Sequence, residues 1–287
     1  MKLSGINAII TGASQGLGLE IARAYLREGA SLALCARDGG KLAEAAEALR
    51  ASAPPGLKIF SQPCDVANPA EVGSFVESAL AALGPVQVLV NNAGVYGPKG
   101  PVESVDWEEW TRAVEINLYG TLLPCRSLIP HFKSRGGGKI INLSGGGATN
   151  PLPFISAYAA SKAAVVRLSE TLAEELKDFH VDVNAVAPGP LNTRMLEEVL
   201  EAGRDLVGES NYRKAVAQKA KGGTSPEVAA GLCVFLASRA SDGITGRLIS
   251  AVWDPWKDLP GRLDELGKSD IYTLRRIVPE DRGLKWS

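Results

Sequence analysis

The chain has 287 residues, enough for one large domain or two small ones with a substantial buried core. Lysine and arginine number 31 against 32 aspartate and glutamate, and this formal net charge of −1 gives no indication of binding to nucleic acid or to an anionic membrane. No apolar run approaches the ~18 residues of a membrane span, and a first strand beginning by Ile6 leaves no room for a signal peptide. We therefore expect a cytoplasmic protein with neither a nucleic-acid nor a membrane partner.

Short apolar runs alternate with helix-length segments along the chain. Seven runs are predicted to be buried strands: Ile6–Thr11, Ser31–Ala36, Leu57–Cys64, Val86–Val90, Lys139–Leu143, Val181–Ala187 and Arg247–Val252. Six segments are predicted to be helices: Gly16–Glu28, Lys41–Ala51, Pro69–Leu83, Trp107–Phe132, Ala157–Phe179 and Pro226–Ser238. This alternation is typical of a three-layer, doubly wound α/β fold with a seven-stranded, mostly parallel sheet, and no long linker divides the chain.

Cysteine and histidine are sparse and scattered. The four cysteines are Cys35, Cys64, Cys125 and Cys233, and the two histidines are His131 and His180. Because no pair has metal-type or redox-type spacing, we interpret the cysteines as reduced core residues. We expect no metal, and a Ser-His-Asp triad has no strong support.

A glycine-rich turn, TGASQGLG, joins the first strand to the first helix at Thr11–Gly18. Gly12, Gly16 and Gly18 permit a tight turn and a close approach of the backbone to a ligand. A turn directly after a strand and before a helix is the context that indicates a pyrophosphate bound at the helix N-terminus.

Tyr158 and Lys162 lie four residues apart in SAYAASKAAVVRL, and positions i and i+4 share one face of a helix. An ammonium beside the phenol favours the phenolate, so the pKa of Tyr158 is expected to fall from ~10 toward the range in which it can exchange a proton with a carbonyl oxygen. A tyrosine and a lysine at this spacing also occur as an ordinary amphipathic surface pair.

The order of several motifs resembles the short-chain dehydrogenase/reductase family over about Gly5 to Val252. These motifs are TGASQGLG, Asp65-Val66, NNAG at 91–94, Asn117, YAASK at 158–162 and PGPLNT at 188–193. The resemblance implies a single Rossmann-type domain over 1–253, a bound nicotinamide dinucleotide, and a homotetramer or homodimer. It also implies a helical lid over 193–224.

The resemblance assigns roles by position. Tyr158 would act as general acid and base, Lys162 would hold the nicotinamide ribose and the phenol, and Asn117 would hold a water in a proton relay. The implied cofactor-binding residues are Gly12, Ser14, Gly16, Leu17, Gly18, Arg37, Asp65, Val66, Asn92, Ala93, Gly94, Tyr158, Lys162, Pro188, Gly189 and Thr193.

The end of the second strand bears on the choice between NADP and NAD. Relatives that prefer NAD place an acidic residue seven positions after the helix-ending glycine, and here that position is Ala36. Arg37 follows, and its guanidinium can pair with the 2′-phosphate of NADP. Asp38 is the competing signal, because its carboxylate could bind ribose hydroxyls, and Gln15 supplies no second basic residue. NADP(H) is favoured and NAD(H) is possible.

The fifth strand departs from the family pattern. Relatives carry a catalytic serine thirteen residues before the tyrosine, a position held here by Gly145, with Ser144 one residue earlier. Either an insertion in the following loop brings Ser144 into register, or the serine is lost and Ser156 or a water replaces it. We place Ser144 in the site.

Two segments remain. The lid contains Arg194, Arg204, Arg213 and Lys214, which could bind an acidic substrate or form a solvated helix face. We favour the solvated helix face. The extension 254–287 has equal numbers of acidic and basic residues and several large apolar ones, so we expect it to pack on the body or on a neighbouring subunit.

The predicted function is hydride transfer between NADP(H) or NAD(H) and a small alcohol, ketone or sugar-like substrate. The alternative is a non-catalytic, cofactor-binding regulatory or scaffold protein of the same fold, for which Gly145 is the only support. The sequence does not identify the substrate.

Overall fold

The computed structural model describes residues 1–286, and across this range seven parallel strands form one sheet. The strands are β1 (Asn7–Thr11), β2 (Ser31–Ala36), β3 (Ile59–Pro63), β4 (Val88–Asn91), β5 (Gly138–Leu143), β6 (Val181–Ala187) and β7 (Leu248–Ser250). Their order is β3-β2-β1-β4-β5-β6-β7. β2 and β3 are added on one side of β1, and β4 to β7 are added on the other side. The predicted seven-stranded, doubly wound sheet is confirmed, and every strand pair is parallel.

Helices cover both faces of the sheet. They are α1 (Gly16–Arg27), α2 (Gly39–Ser52), α3 (Pro69–Leu83), α4 (Trp107–Val114), α5 (Gly120–Arg135), α6 (Ser156–Leu176), α7 (Arg194–Val207), α8 (Glu209–Lys221), α9 (Pro226–Ala237) and α10 (Leu263–Gly267). One apolar core lies between the sheet and α1, α2 and α9, and a second lies between the sheet and α3, α5 and α6. These two cores make the three layers that the sequence predicts.

The prediction of helix over Trp107–Phe132 is confirmed, but this helix contains a π-helical turn that the sequence does not predict. The turn, Glu115–Tyr119, lies between α4 and α5 and widens the helix at Asn117. Gly120 follows this turn because the chain passes close to Val66: a Cβ on Gly120 would lie 2.5 Å from Val66 Cγ2. The apolar periodicity carries no signal for such a one-residue insertion.

A ladder of buried polar side chains crosses the centre of the sheet. Asn91 and Asn142 are register partners on β4 and β5, and Asn91 Nδ2 donates to Asn142 Oδ1 at 2.9 Å. Asn142 Nδ2 in turn donates to Ser169 Oγ on α6 at 2.9 Å. A slip of one residue between β4 and β5 would break the buried bond between Asn91 and Asn142, so this bond favours the observed register.

Within residues 1–286 all four cysteines are buried with free thiols. Over the same residues, no helix combines the length and the apolar character needed to cross a membrane.

The C-terminal extension packs against the body of its own chain. Trp256 lies against Phe235 of α9, with ring centroids 5.4 Å apart, and its indole donates to the Ala251 carbonyl at 3.2 Å. Leu259 and Leu266 are buried in the core beside α9. Beyond Tyr272 the chain is more exposed, with Ile277, Leu284 and Trp286 largely in solvent.

The extension also binds the outer edge of β7. Leu248 N donates to the Tyr272 carbonyl at 2.8 Å, and Ser250 N donates to Asp254 Oδ2 at 2.7 Å. The Arg247 guanidinium donates to the carbonyls of Ser269, at 3.0 Å, and Ile271, at 2.7 Å. The extension therefore holds this edge strand through both side-chain and backbone hydrogen bonds.

Replacement of Leu259, 2% exposed, with alanine is expected to lower the free energy of unfolding by about 2–5 kcal/mol, because it leaves a cavity under the extension. Leu284→Ala is the matched control: this leucine is 49% exposed, and the change is expected to stay within about 0.5 kcal/mol. Urea denaturation of both variants measures the difference. Equal effects of the two substitutions would contradict docking of the extension on the body.

Candidate active site

The predicted site residues converge at the carboxyl ends of β1, β4, β5 and β6. In a parallel sheet these ends share one edge, and the change of direction between β1 and β4 opens a crevice there. The glycine-rich turn, NNAG, the Tyr158 helix and PGPLNT all begin at this edge.

The glycine-rich turn has the geometry of a phosphate cradle. Gly12 has φ +65° and Gly16 has φ +57°, in the left-handed region that favours glycine. A Cβ on Gly18 would lie 2.3 Å from the Gly12 carbonyl oxygen, so only glycine fits there. The N-terminus of α1 has no side-chain cap and no acidic residue in its first turn. These backbone N–H groups and the helix dipole fit an anionic pyrophosphate.

Thr11 fixes the turn against the end of β4, a role that sequence reasoning missed. Its Oγ1 accepts hydrogen bonds from the backbone N–H of Asn92, at 3.1 Å, and of Ala93, at 3.2 Å. The Asn92 side chain donates back to the Thr11 carbonyl at 3.1 Å and to the Gly12 carbonyl at 3.0 Å. The amide of Asn92 is thereby committed to shaping the turn.

Two neighbouring charged residues, Arg37 and Asp38, follow the end of β2 and differ in their contacts. Asp38 caps α2 by accepting a hydrogen bond from Lys41 N at 3.0 Å. Arg37 is exposed, and it forms no ion pair within the described range 1–286. The guanidinium is therefore available to an added anion, whereas the Asp38 carboxylate already serves the helix.

Asp65 and Val66 follow β3 and lie beside the π-helical turn. The Asp65 carboxylate accepts from Ala67 N at 3.0 Å and forms an ion pair with Arg112 of α4. Val66 packs against Gly120. Both residues thus connect the outer end of the crevice to the helix that carries Asn117.

Lys162 is buried at the end of β5 and donates from Nζ to the Leu143 carbonyl at 2.7 Å. Burial lowers the pKa of this ammonium to about 8. The ammonium lies 5.7 Å from the centroid of the Tyr158 ring. A Cβ on Gly94 would lie 3.4 Å from Nζ, so the glycine lets the NNAG backbone approach this charge.

The expected fall in the pKa of Tyr158 is wrong for this structure. Burial raises the pKa of the phenol, and the neighbouring Tyr96 raises it further. The Lys162 ammonium is hydrogen-bonded to a backbone carbonyl and is itself poorly solvated, so its charge does not overcome the desolvation of the phenolate. Burial thus favours the protonated phenol of Tyr158.

Asn117 is fully buried in the π-helical turn and binds the strand end that precedes the site. Its Oδ1 accepts from Val95 N at 2.9 Å, and its Nδ2 donates to the Val95 carbonyl at 2.9 Å. Nδ2 also donates to Ser161 Oγ of α6 at 3.0 Å. The side chain thus joins the end of β4 to the helix that carries Tyr158.

Gly145, rather than Ser144, faces the Tyr158 hydroxyl. A Cβ on Gly145 would lie 2.1 Å from Tyr158 Oη. The Ser144 hydroxyl lies 3.5 Å from the Lys162 carbonyl, on the side of α6, and Ser156 Oγ accepts from the Trp110 indole at 3.0 Å. Neither serine that the sequence offered is directed at the phenol in this structure.

PGPLNT leads from β6 into the lid. Gly189 has φ +87°, and Thr224 N donates to the Pro190 carbonyl at 2.8 Å, which ties the two ends of the lid together. Thr193 Cγ2 would lie 3.9 Å from a Cβ on Gly16, so this segment borders the phosphate cradle. Pro188 and Thr193 therefore lie at the same crevice as the glycine-rich turn.

The lid consists of α7 and α8 and covers Tyr158 with apolar side chains. Leu196 and Val199 of α7 belong to one buried cluster with Ile155 and Tyr158. The basic residues that the sequence singled out are all exposed, and Arg194 and Arg213 pair with Glu198, at 3.1 Å, and Glu209, at 2.5 Å. They therefore form a solvated outer face.

Tyr96 is a site residue that sequence reasoning missed. It follows Gly94 by two positions, and its ring meets that of Tyr158 edge to face, with centroids 4.7 Å apart. An aromatic residue directly after the NNAG strand end is the signal that could have found it. A neighbouring cleft of about 770 Å³ is lined by Val95, Gly97 and Glu198 among others, and neither Tyr96 nor Tyr158 lines it.

The comparisons with known proteins agree with this geometry. A family model described as short chain dehydrogenase matches residues 7–203. A short-chain type dehydrogenase/reductase from Picea abies is 36% identical over 211 residues, which cover 70% of this chain and 78% of the relative.

Two solved structures resemble the fold. A gluconate 5-dehydrogenase from Burkholderia cenocepacia, in complex with NADP and tartrate, has a TM-score of 0.76 at 27% identity and covers 87% of this chain and 94% of its own. An NAD+-bound xylitol dehydrogenase has a TM-score of 0.80 at 26% identity, over 87% and 98% of the two chains. The predicted fold and enzyme class are confirmed. The chain belongs to the short-chain dehydrogenase/reductase family and is an NAD(P)-dependent oxidoreductase.

Proposed function

We propose that this chain interconverts an alcohol and a carbonyl compound, with Tyr158 as the general acid and base. The observation that carries the proposal is the buried pair on α6: the Tyr158 phenol and the Lys162 ammonium lie together at the crevice, beside Gly94 and Asn117. A buried lysine with a lowered pKa next to a buried phenol is costly to a folded protein, which favours a functional role over a surface pair.

The residues present fit a nicotinamide dinucleotide. The cradle formed by Gly12, Gly16 and Gly18 would hold its pyrophosphate, and the segment 188–193 would border its nicotinamide end. When bound, the dinucleotide supplies or accepts the hydride.

The chain's own residues handle the proton. In the reductive direction the Tyr158 Oη–H bond breaks as the substrate oxygen takes the proton, and the phenolate is left beside the Lys162 ammonium. In the oxidative direction the phenolate removes the proton from the alcohol oxygen. Because Asn117 joins the end of β4 to α6, its amide positions both elements around this exchange.

Gly145 alone favours the rival proposal of a binding protein without turnover, since it lacks the hydroxyl that relatives carry. The retention of Asn117, Tyr158 and Lys162 in one buried site argues for the enzyme, because binding alone needs no proton exchange. A homodimer or homotetramer also stays a prediction for this chain.

Replacing Tyr158 with phenylalanine is expected to lower kcat by at least about 10²–10⁴-fold and to leave the cofactor dissociation constant nearly unchanged, because only the exchangeable proton is removed. Lys162→Ala is expected to reduce both turnover and cofactor affinity. Nicotinamide absorbance and fluorescence titration measure the two quantities.

Tyr272→Phe, a tyrosine of the C-terminal extension, is the control for this pair and is expected to keep its activity. A Tyr158→Phe protein that keeps most of its turnover would contradict the proposed mechanism. Binding of cofactor without turnover of any substrate by the unsubstituted chain would favour the non-catalytic alternative.

We further propose NADPH as the preferred cofactor, because Arg37 is exposed and unpaired within residues 1–286 while Asp38 is committed to the cap of α2. Arg37→Ala is expected to raise the dissociation constant of NADPH about 10–100-fold, the loss of one or two charged hydrogen bonds, and to leave that of NADH unchanged. Fluorescence titration with both cofactors checks this.

Two further variants serve as controls for the titration of Arg37→Ala. Arg23→Ala removes a surface arginine of α1 that pairs with Glu20 and is expected to change neither affinity. Asp38→Asn keeps an oxygen to accept the Lys41 N–H while removing the charge. Weakened NADH binding in Asp38→Asn, with no effect of Arg37→Ala, would instead assign an NAD preference to Asp38.

The lid underside points to a substrate with an apolar body. Leu196, Val199 and Ile155 are buried in one cluster with Tyr158, whereas the basic residues Arg194, Arg204, Arg213 and Lys214 of α7 and α8 are exposed. Cyclic aliphatic ketones are therefore expected to have kcat/KM values at least about tenfold above those of keto sugars of similar size, measured by NADPH oxidation. The reverse order would contradict an apolar substrate pocket.

A further inference from the structure

The site lacks a second donor for the substrate oxygen at the position where relatives have a serine. Gly145 holds that position, and the Tyr158 hydroxyl lies only 2.1 Å from where a Cβ would be. Ser144 and Ser156 are directed at the Lys162 carbonyl and the Trp110 indole, respectively. A single donor leaves part of the charge on the reacting oxygen without stabilisation.

Tyr96 is the side chain that the fold places against Tyr158 from the other wall of the crevice. It lies five residues beyond the end of β4, in the segment that the Asn117 side chain holds through Val95. The two tyrosine rings meet edge to face with centroids 4.7 Å apart, and both belong to the buried apolar cluster under the lid, so Tyr96 lines the same part of the crevice as Tyr158.

The Tyr96 hydroxyl is free to donate to a substrate, since no other residue of the range 1–286 binds it and burial favours its protonated form. Burial raises its pKa, and Glu198 of the lid raises it further, so it remains an O–H donor at neutral pH. The hydrogen bonds formed among residues 1–286 include none to the Tyr96 hydroxyl. Lys99 lies over its ring, 5.8 Å from the centroid, and pairs with Glu198 at 3.5 Å, which holds the ring from the lid side.

We propose that Tyr96 is a further catalytic residue, which donates the second hydrogen bond to the substrate oxygen in place of the missing serine. This inference rests on the proposed function. In the reductive direction the carbonyl carbon would accept the hydride that a bound NADPH supplies, the C=O π pair would move to oxygen, and the proton would come from the Tyr158 Oη–H bond. Tyr96 keeps its own proton throughout and stabilises the developing negative charge.

Tyr96→Phe tests the inference, because it removes only the hydroxyl and keeps the ring against Tyr158. We expect kcat to fall about 10²–10³-fold, the typical effect of losing one donor to a developing oxyanion, with the NADPH dissociation constant and the melting temperature unchanged. Tyr212→Phe is the matched control, since Tyr212 packs on the same apolar cluster from α8 and is expected to keep kcat.

The outcomes separate this inference from the proposed function. A normal kcat in Tyr96→Phe, with Tyr158→Phe inactive, would overturn the role of Tyr96 and leave the proposed function intact. A loss of kcat accompanied by an equal loss of cofactor affinity or of melting temperature would show a structural role and also overturn it. Full activity in Tyr158→Phe would instead overturn the proposed function.

Discussion

The hydrogen bond between Asn91 and Asn142 is the constraint on which the site depends. It joins the two central strands at their carboxyl ends, just before one chain leads to Gly94 and the other to Gly145. Because side chains alternate across a strand, any other register would move the approach of Gly94 to Lys162 and of Gly145 to Tyr158. The further bond to Ser169 extends the same constraint to α6, so three elements are held by two buried amides.

Desolvation dominates the electrostatics of the candidate site. The pKa of Lys162 is lowered to about 8 from 10.5, so the folded state binds this proton less well than the unfolded chain does. Its contribution to stability is therefore unfavourable below about pH 8, and stability rises as pH rises between the two values. Burial has the opposite effect on the phenol, whose pKa is raised. Both shifts disfavour the charged forms of the two groups, and this cost falls on the residues to which we assign the proposed proton exchange, a trade between stability and activity.

Local sequence patterns predict the seven strands and the glycine-rich turn. Apolar runs indicate buried strands, and glycines indicate positions where the backbone needs unusual angles. Such patterns do not predict the π-helical turn at Asn117, since one extra residue in a helix leaves the apolar spacing almost unchanged. The sequence spacing places Ser144 near the site but does not predict the direction of its side chain, and in the structure its hydroxyl faces the Lys162 carbonyl of α6. The sequence does not predict a role for Tyr96 for a related reason. Its proposed role depends on contact with Tyr158, which lies 62 residues away in the sequence, on α6. The direction of the pKa shift of Tyr158 depends on how deeply the phenol and the Lys162 ammonium are buried. The spacing of the two residues in the sequence does not predict this burial.

The docked C-terminal extension has a consequence for how copies of this chain can associate. A sheet edge with free N–H groups invites an added strand, and β7 is one edge of this sheet. Here the outward N–H groups of Leu248 and Ser250 are already taken, by the Tyr272 carbonyl and the Asp254 carboxylate. A continuous sheet running through β7 into a second copy would first require release of the extension. While the extension stays docked, β3 is the sheet edge that a second copy could extend.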